Sequence, residues 1–442
     1  MMASIRTTQS PPAALVFAHF GLAGVFLVLA CGAALAGAGD FAGYYAQPRL
    51  LAVTHLLVLG WINLCAFGVL LQMVPVIFHA PLRWPWLAWV HLGVYVGGAA
   101  GLAATFWIGR LDTPLVIAGG LAWSGVVLLA VNLGGTLASS RPRDVSAWII
   151  AGALVNLLLT ATLGAALTIN FTHPFLARVH LDYLKLHAHL GFAGWLLCLI
   201  MGAGRRLLPM FLLAPEPPPG RTLVAFGFVQ AGLALWAGGL FLTAAGRGWI
   251  PPAAAALLAA GVGVWLFEVR AIFRSRARRA LDPALKTAGV ALGGLGLAAA
   301  LGLTVGLLRE PPGEAVLVYG ALVLLAAVSL LVQALLYKIV PFLVWLHRWS
   351  PLVGRQPVPT LRELAARAWM RLQLALFAAG VVLLVAGMLA GLTPLVRAGA
   401  GVLLTSAVLL AVNFLRIGLA ANPGAEPAGA PAPAQPLPVS LP

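Results

Sequence analysis

Long apolar runs alternate with short polar breaks along the whole chain. Twelve runs stand out, roughly 13–37, 50–78, 86–107, 114–137, 146–169, 182–203, 222–245, 250–269, 286–308, 315–346, 366–391 and 394–418. Each is long enough to cross a hydrocarbon core of about 30 Å as a helix. The tenth predicts a helix that either tilts strongly or extends past the membrane. The first is long enough to span and has no small-residue cleavage site, so it reads as a span, not a leader. The expected fold class is an all-α membrane protein with twelve transmembrane helices. Residues 1–420 form one polytopic domain, and the Pro- and Ala-rich residues 421–442 predict a disordered cytoplasmic tail.

Composition agrees with the pattern. Of 442 residues, 62% are hydrophobic and 9% charged, against about 25% charged in a soluble protein. Mean hydropathy is +1.00. The net charge of +16 would raise nucleic acid as a partner in a soluble protein, but here the loops absorb it. With the N-terminus inside, 20 Lys and Arg fall on the cytoplasmic side and 7 on the other. That bias predicts a multi-pass protein of a bacterial-type cytoplasmic (inner) membrane with both termini cytoplasmic, and no nucleic-acid partner. The basic stretch 270–286 reads as a topology anchor touching anionic lipid headgroups. Cys31, Cys65 and Cys198 lie in apolar runs without metal spacing and read as small buried residues.

An internal repeat refines the fold. His55-Leu56-x-x-x-Gly60-Trp61 recurs as His189-Leu190-x-x-x-Gly194-Trp195, an offset of 134, and Pro75 recurs as Pro209 at the same offset. Pro341 follows 132 residues later, and Gln72, Arg206 and Lys338 each stand three residues before their proline. The chain therefore reads as three quasi-repeated four-helix units. The third has Ala321 where the first two have histidine, so packing alone does not demand the imidazole.

Twelve helices in three such units resemble subunit I of the haem-copper oxidases, a superfamily that includes nitric oxide reductases and NnrS-type haem-copper membrane proteins. The resemblance places His55 where a low-spin haem ligand stands and His187 or His189 near a copper ligand. It implies haem as cofactor, copper as a second, and a respiratory or electron-donor partner protein. The sequence also departs from that family. The seventh run has no histidine, the outer half of the tenth has no His-x-His, and the sixth lacks His-x-x-x-Tyr. A complete oxygen-reducing centre is therefore not expected, and no catalytic residue is assigned.

Read from the residues, intramembrane histidines are costly and mark function by default. Neutral imidazole ligates haem iron or copper. His55, His187 and His189 are the candidate cofactor ligands, with His55 and His189 favoured for metal by the repeat. His187 and His189 lie about 200° apart on a helix and must face different neighbours. Tyr183, a turn before His187, is its expected hydrogen-bond neighbour.

His173, His180 and Asp182 could extend a metal site at the surface but read more simply as loop residues. His19, His79, His91 and His347 read as interfacial. Arg205, Arg206 and Lys338 read as helix-end cations, with an anion-holding role as the functional alternative. No carboxylate is expected at mid-membrane, which argues against proton pumping. Most tryptophans, among them Trp84, Trp86, Trp107, Trp249, Trp345 and Trp349, are expected at the interfaces. Two functions follow: a haem- or copper-binding redox protein tied to nitric oxide or respiration, or a transporter or assembly factor for a metal, haem or small solute without redox work.

Overall fold

A computed structural model describes residues 11–42, 44–139, 144–242, 248–277 and 279–420. The tail at 421–442 lies outside the described residues. Among the described residues there is no strand, and twelve helices are long and apolar enough to cross a membrane. In chain order they are α1 Ala13–Ala36, α2 Pro48–Ile77, α3 Pro85–Trp107, α4 Thr113–Ser139, α5 Val145–Thr172, α6 His180–Leu212, α7 Pro219–Gly239, α8 Ile250–Arg274, α9 Pro283–Leu307, α10 Gly313–Leu352, α11 Arg367–Ala390 and α12 Thr393–Gly418. Most ends fall within a few residues of the apolar runs.

The helix starts follow from local chemistry. Proline opens the first turn of α2, α3, α7, α8, α9 and α12, where its missing N–H costs nothing. The Asp144 and Asp282 side chains cap α5 and α9 by accepting from the N–H groups of Ala147 and Leu285 at 3.0 Å.

The largest departure from the predicted spans is α6. It continues nine residues past the expected end, through Arg205, Arg206 and Pro209, to Leu212. The two arginines are tolerated because both are paired. Arg206 reaches Asp144 and Glu216, and Arg205 bonds the Pro218 carbonyl at 3.1 Å. Helix α10 does extend, to Leu352.

Helices α2, α6 and α10 are the most buried, and α1 packs on α12 so that the chain's two ends meet. These three central helices share a defect. Each turns π-helical for eight residues: Leu56–Asn63, Leu190–Leu197 and Leu322–Ser329. The segments start immediately after His55, His189 and Ala321 and keep the sequence offsets of 134 and 132. They close alike, with the N–H groups of Leu64, Cys198 and Leu330 bonding back to the carbonyls of Trp61, Trp195 and Ala327, and that of Leu330 shared with the Leu325 carbonyl.

The repeated glycines have a packing reason. A Cβ at Gly194 would lie 2.6 Å from Asn156 Oδ1, and one at Gly60 would overlap the Phe26 ring. In the third helix the glycine moves to the neighbour, where a Cβ on Gly294 of α9 would meet the Ala326 carbonyl at 3.0 Å.

The central helices enclose a cavity of about 100 Å³ lined by corresponding positions of all three. Ile62, Leu196 and Val328 form one tier, Ala66, Ile200 and Val332 a second, and Val69, Ala203 and Leu335 a third. All are apolar.

Candidate functional site

The three candidate histidines stand at the end of the central helices where the chain enters the π-helical segments. All three are half-buried. Each uses Nδ1–H to bond a backbone carbonyl, which can only accept. His55 donates to Leu51 O at 2.7 Å, His187 to Thr160 O at 3.0 Å, and His189 to Lys185 O at 2.8 Å. The tautomer follows: Nε2 of each ring carries the lone pair and is the free ligating atom. A carbonyl behind Nδ1 also orients the ring and raises its basicity, as outer partners of metal-bound histidines do. The expected partner of His187, Tyr183, is replaced by Thr160, because the α6 face carrying His187 lies on α5.

As the 200° spacing predicts, His187 and His189 serve different junctions. His187 lies within electrostatic reach of His55, across the α2/α6 junction. His55 packs on Phe106 at 5.1 Å between ring centroids. His189 turns to the α6/α10 junction, 4.3 Å from the Trp236 ring and 6.1 Å from Tyr319, nearly parallel to the latter at 22°. The structure thus sets His55 and His187 within electrostatic reach of one another, and the rings of His189 and Tyr319 6.1 Å apart.

The pairing follows the repeat. His55, His189 and Ala321 correspond, and so do Val53, His187 and Tyr319. At two junctions the first-set residue of one central helix faces the second-set residue of the next: His55 with His187, then His189 with Tyr319. At the α10/α2 junction the corresponding residues are Ala321 and Val53. The rings of His187 and Tyr319 are seated alike. A Cβ on Gly164 of α5 would lie 2.8 Å from His187 Cε1, and one on Gly302 of α9 would lie 2.8 Å from Tyr319 Cε2. Tyr319 was readable from the same offset of 132, but a lone tyrosine in an apolar run carries no chemical signal until His189 is beside it.

The remaining candidates separate from this site. His180 pairs with Asn170 at 3.2 Å and His173 with Thr172 at 3.0 Å. Among the described residues no three His, Cys, Asp or Glu side chains converge on a metal position. His347 is exposed. His19 and His91, expected at an interface, are instead fully buried.

The cations at the other end of the central helices already have anionic partners: Arg206 with Asp144 and Glu216, Lys338 with Asp282, Arg205 with Glu268 at 3.9 Å. An anion-holding role for them therefore gives way to internal ion pairing. Glu268, expected on the inner side, lies inside α8, fully buried, and accepts from the Thr222 hydroxyl at 2.6 Å. Trp349 is buried, as are Trp61, Trp195 and Trp265, whereas Trp86 and Trp249 are exposed as interface residues should be.

Polar groups missed in the sequence line each central helix. Tyr95 donates to the Leu59 carbonyl freed by the first π-helical segment, at 3.2 Å. It accepts from Asn63, whose Oδ1 takes the Trp195 indole N–H at 2.9 Å. At the corresponding place in α6 the Cys198 thiol donates to the Ala193 carbonyl at 3.3 Å. In α10, Gln333 accepts from Gln373, which also bonds Ser406.

No protein-family model and no curated protein matches the chain.

Proposed function

We propose that the protein is a haem- or copper-binding integral membrane protein of the haem-copper oxidase-like class, built as three quasi-repeated four-helix units. In this reading it takes part in redox, nitric oxide or respiratory chemistry without a complete oxygen-reducing centre. The observation that carries the reading is the junction chemistry. His55 and His187, both half-buried, stand within electrostatic reach of one another between α2 and α6, and the His189 ring lies 6.1 Å from that of Tyr319 between α6 and α10, each imidazole with Nδ1 committed and Nε2 open.

The residues present fit such a group. His55 and His187 Nε2 would hold iron or copper between α2 and α6, and His189 would hold a second centre. The carbonyls of Leu51, Thr160 and Lys185 lock the rings against rotation. Phe106 packs on the His55 ring and Trp236 on that of His189. The Tyr319 hydroxyl is a proton carrier beside His189. A bound haem or copper would supply one-electron transfer and a place for a diatomic ligand. Exposed Lys185, within electrostatic reach of His189, offers countercharge to acidic groups at this end.

The basic bias of the loops supports an inner-membrane placement with both termini cytoplasmic and the histidines near the outer face. Lipid is then the obligatory surroundings, and an electron-donor protein the expected partner. The alternative, a transporter or assembly factor for a metal, haem or small solute without redox work, gains no support from the space between the three central helices, which is lined by apolar side chains.

The test is a reduced-minus-oxidised visible spectrum of the purified protein, with iron and copper measured on the same sample. Haem bands, or stoichiometric copper, that disappear in His55→Ala and His187→Ala support the reading. A colourless, metal-free protein after expression with added haem and copper overturns it.

A further inference from the structure

A second histidine pair lies apart from the junctions. His19 of α1 and His91 of α3 are both 0% exposed. Their ring centroids are 5.8 Å apart and their planes differ by 19°. His19 donates its Nδ1–H to Leu15 O at 2.8 Å, and His91 donates across to Gly125 O of α4 at 2.7 Å. Both rings are therefore neutral, with the lone pair on Nε2. Neither Nε2 has a hydrogen-bond partner. Two unpartnered nitrogen acceptors in an apolar interior cost roughly 1–3 kcal/mol each, and the surrounding rings, Phe67 at 5.3 Å and Tyr95 at 5.6 Å from His91, relieve neither.

We propose that His19 and His91 form a two-coordinate binding site for a single monovalent soft cation, Cu(I), held between their Nε2 atoms. The chemistry selects the ion. Among the described residues no third His, Cys, Asp or Glu joins the pair, so the four-ligand shell of zinc is not available. No carboxylate offsets charge there, and the cost of burying an ion rises with the square of its charge, roughly fourfold for a divalent ion over a monovalent one. Cu(I) accepts two nitrogen donors in a line and carries one charge. With both Nε2 atoms turned to the ion, two metal–nitrogen bonds of about 2 Å and the ring radii would put the centroids about 6 Å apart; the near-parallel, stacked rings stand at 5.8 Å. Both rings are closed in on all sides, which excludes a macrocycle such as haem. This site does not depend on the reading of the His55 end.

The test is an anaerobic Cu(I) titration of the full-length protein in detergent against a chromogenic Cu(I) chelator. It is run in a His55→Ala, His187→Ala, His189→Ala background so that the junction sites do not contribute. That protein should take up one tightly held Cu(I), and X-ray absorption should show two nitrogen donors. His91→Leu should weaken binding more than about tenfold. His91→Met, which keeps a soft donor, should retain it with one nitrogen and one sulfur. Equal uptake with and without His91 overturns the proposal. So does loss of copper in a His91→Met protein that elutes and melts like its parent.

Discussion

The α2/α6 and α10/α2 junctions are built on one backbone plan yet carry opposite chemistry. At the first, His55 and His187 stand within electrostatic reach of one another with open Nε2 atoms. At the other, the corresponding residues are Ala321 and Val53. The π-helical segment is present in all three central helices, including α10, which has no histidine at the head of it. The distortion therefore belongs to the way these helices pack around the shared cavity, and the imidazoles are an addition to it. A π-helical turn frees a carbonyl and re-aims the side chains that follow. Each copy then satisfies that cost differently: Tyr95 in the first and Cys198 in the second.

This comparison can be broken by substitution. The largest effect is expected at the histidines. His55→Ala should abolish metal or haem binding at the α2/α6 junction while leaving the melting temperature within a few degrees, since α10 folds with alanine at that position. Metal content and thermal melting on one preparation check both halves. The reverse change, Ala321→His, puts an imidazole opposite Val53. It should destabilise by about 1–3 kcal/mol and gain no chromophore; a gain would mean that Val53 is not what faces it.

Next come the polar networks. Gln373→Leu strands the Gln333 amide in the interior, while Ser406 keeps its bond to the backbone carbonyl of residue 373, and should cost about 1–3 kcal/mol. Asn63→Leu should cost a similar amount by releasing Trp195 and the Tyr95 hydroxyl. Chemical denaturation in mixed micelles measures each. A loss below a few tenths would show that these groups find water.

Filling the central cavity has a smaller effect. Ala66→Leu occupies part of the space of about 100 Å³ and should change stability by no more than about 1 kcal/mol. It should also displace xenon, which dry apolar cavities bind, as xenon-pressurised crystals would reveal.

The smallest effects belong to the exposed carboxylates. The Thr360 backbone and hydroxyl hold the Glu363 carboxyl below its usual range, and Arg110 does the same to Asp112. A depressed carboxyl contributes at neutral pH and loses that contribution as pH falls through its folded value. Both groups are fully exposed, so Glu363→Gln and Asp112→Asn should leave melting at pH 7 unchanged.

The sequence by itself determined the twelve spans, because hydrocarbon tolerates only internally bonded helices and their length is set by its thickness. It also determined the correspondence of the three central helices, since the close approach of a neighbouring side chain at both Gly60 and Gly194 demands a glycine at each. It placed His187 and His189 on opposite faces by the pitch of the helix alone. Only the tertiary structure decided that His187 and not His189 lies on the His55 side, that Tyr319 stands beside His189, and that Thr160 replaces Tyr183. Those partners lie on other helices, and one apolar run gives no sign of which neighbour it will face. The same reason explains His19 and His91. Near helix ends each reads as interfacial, and nothing in a linear pattern shows that α1 and α3 close over both rings at one depth.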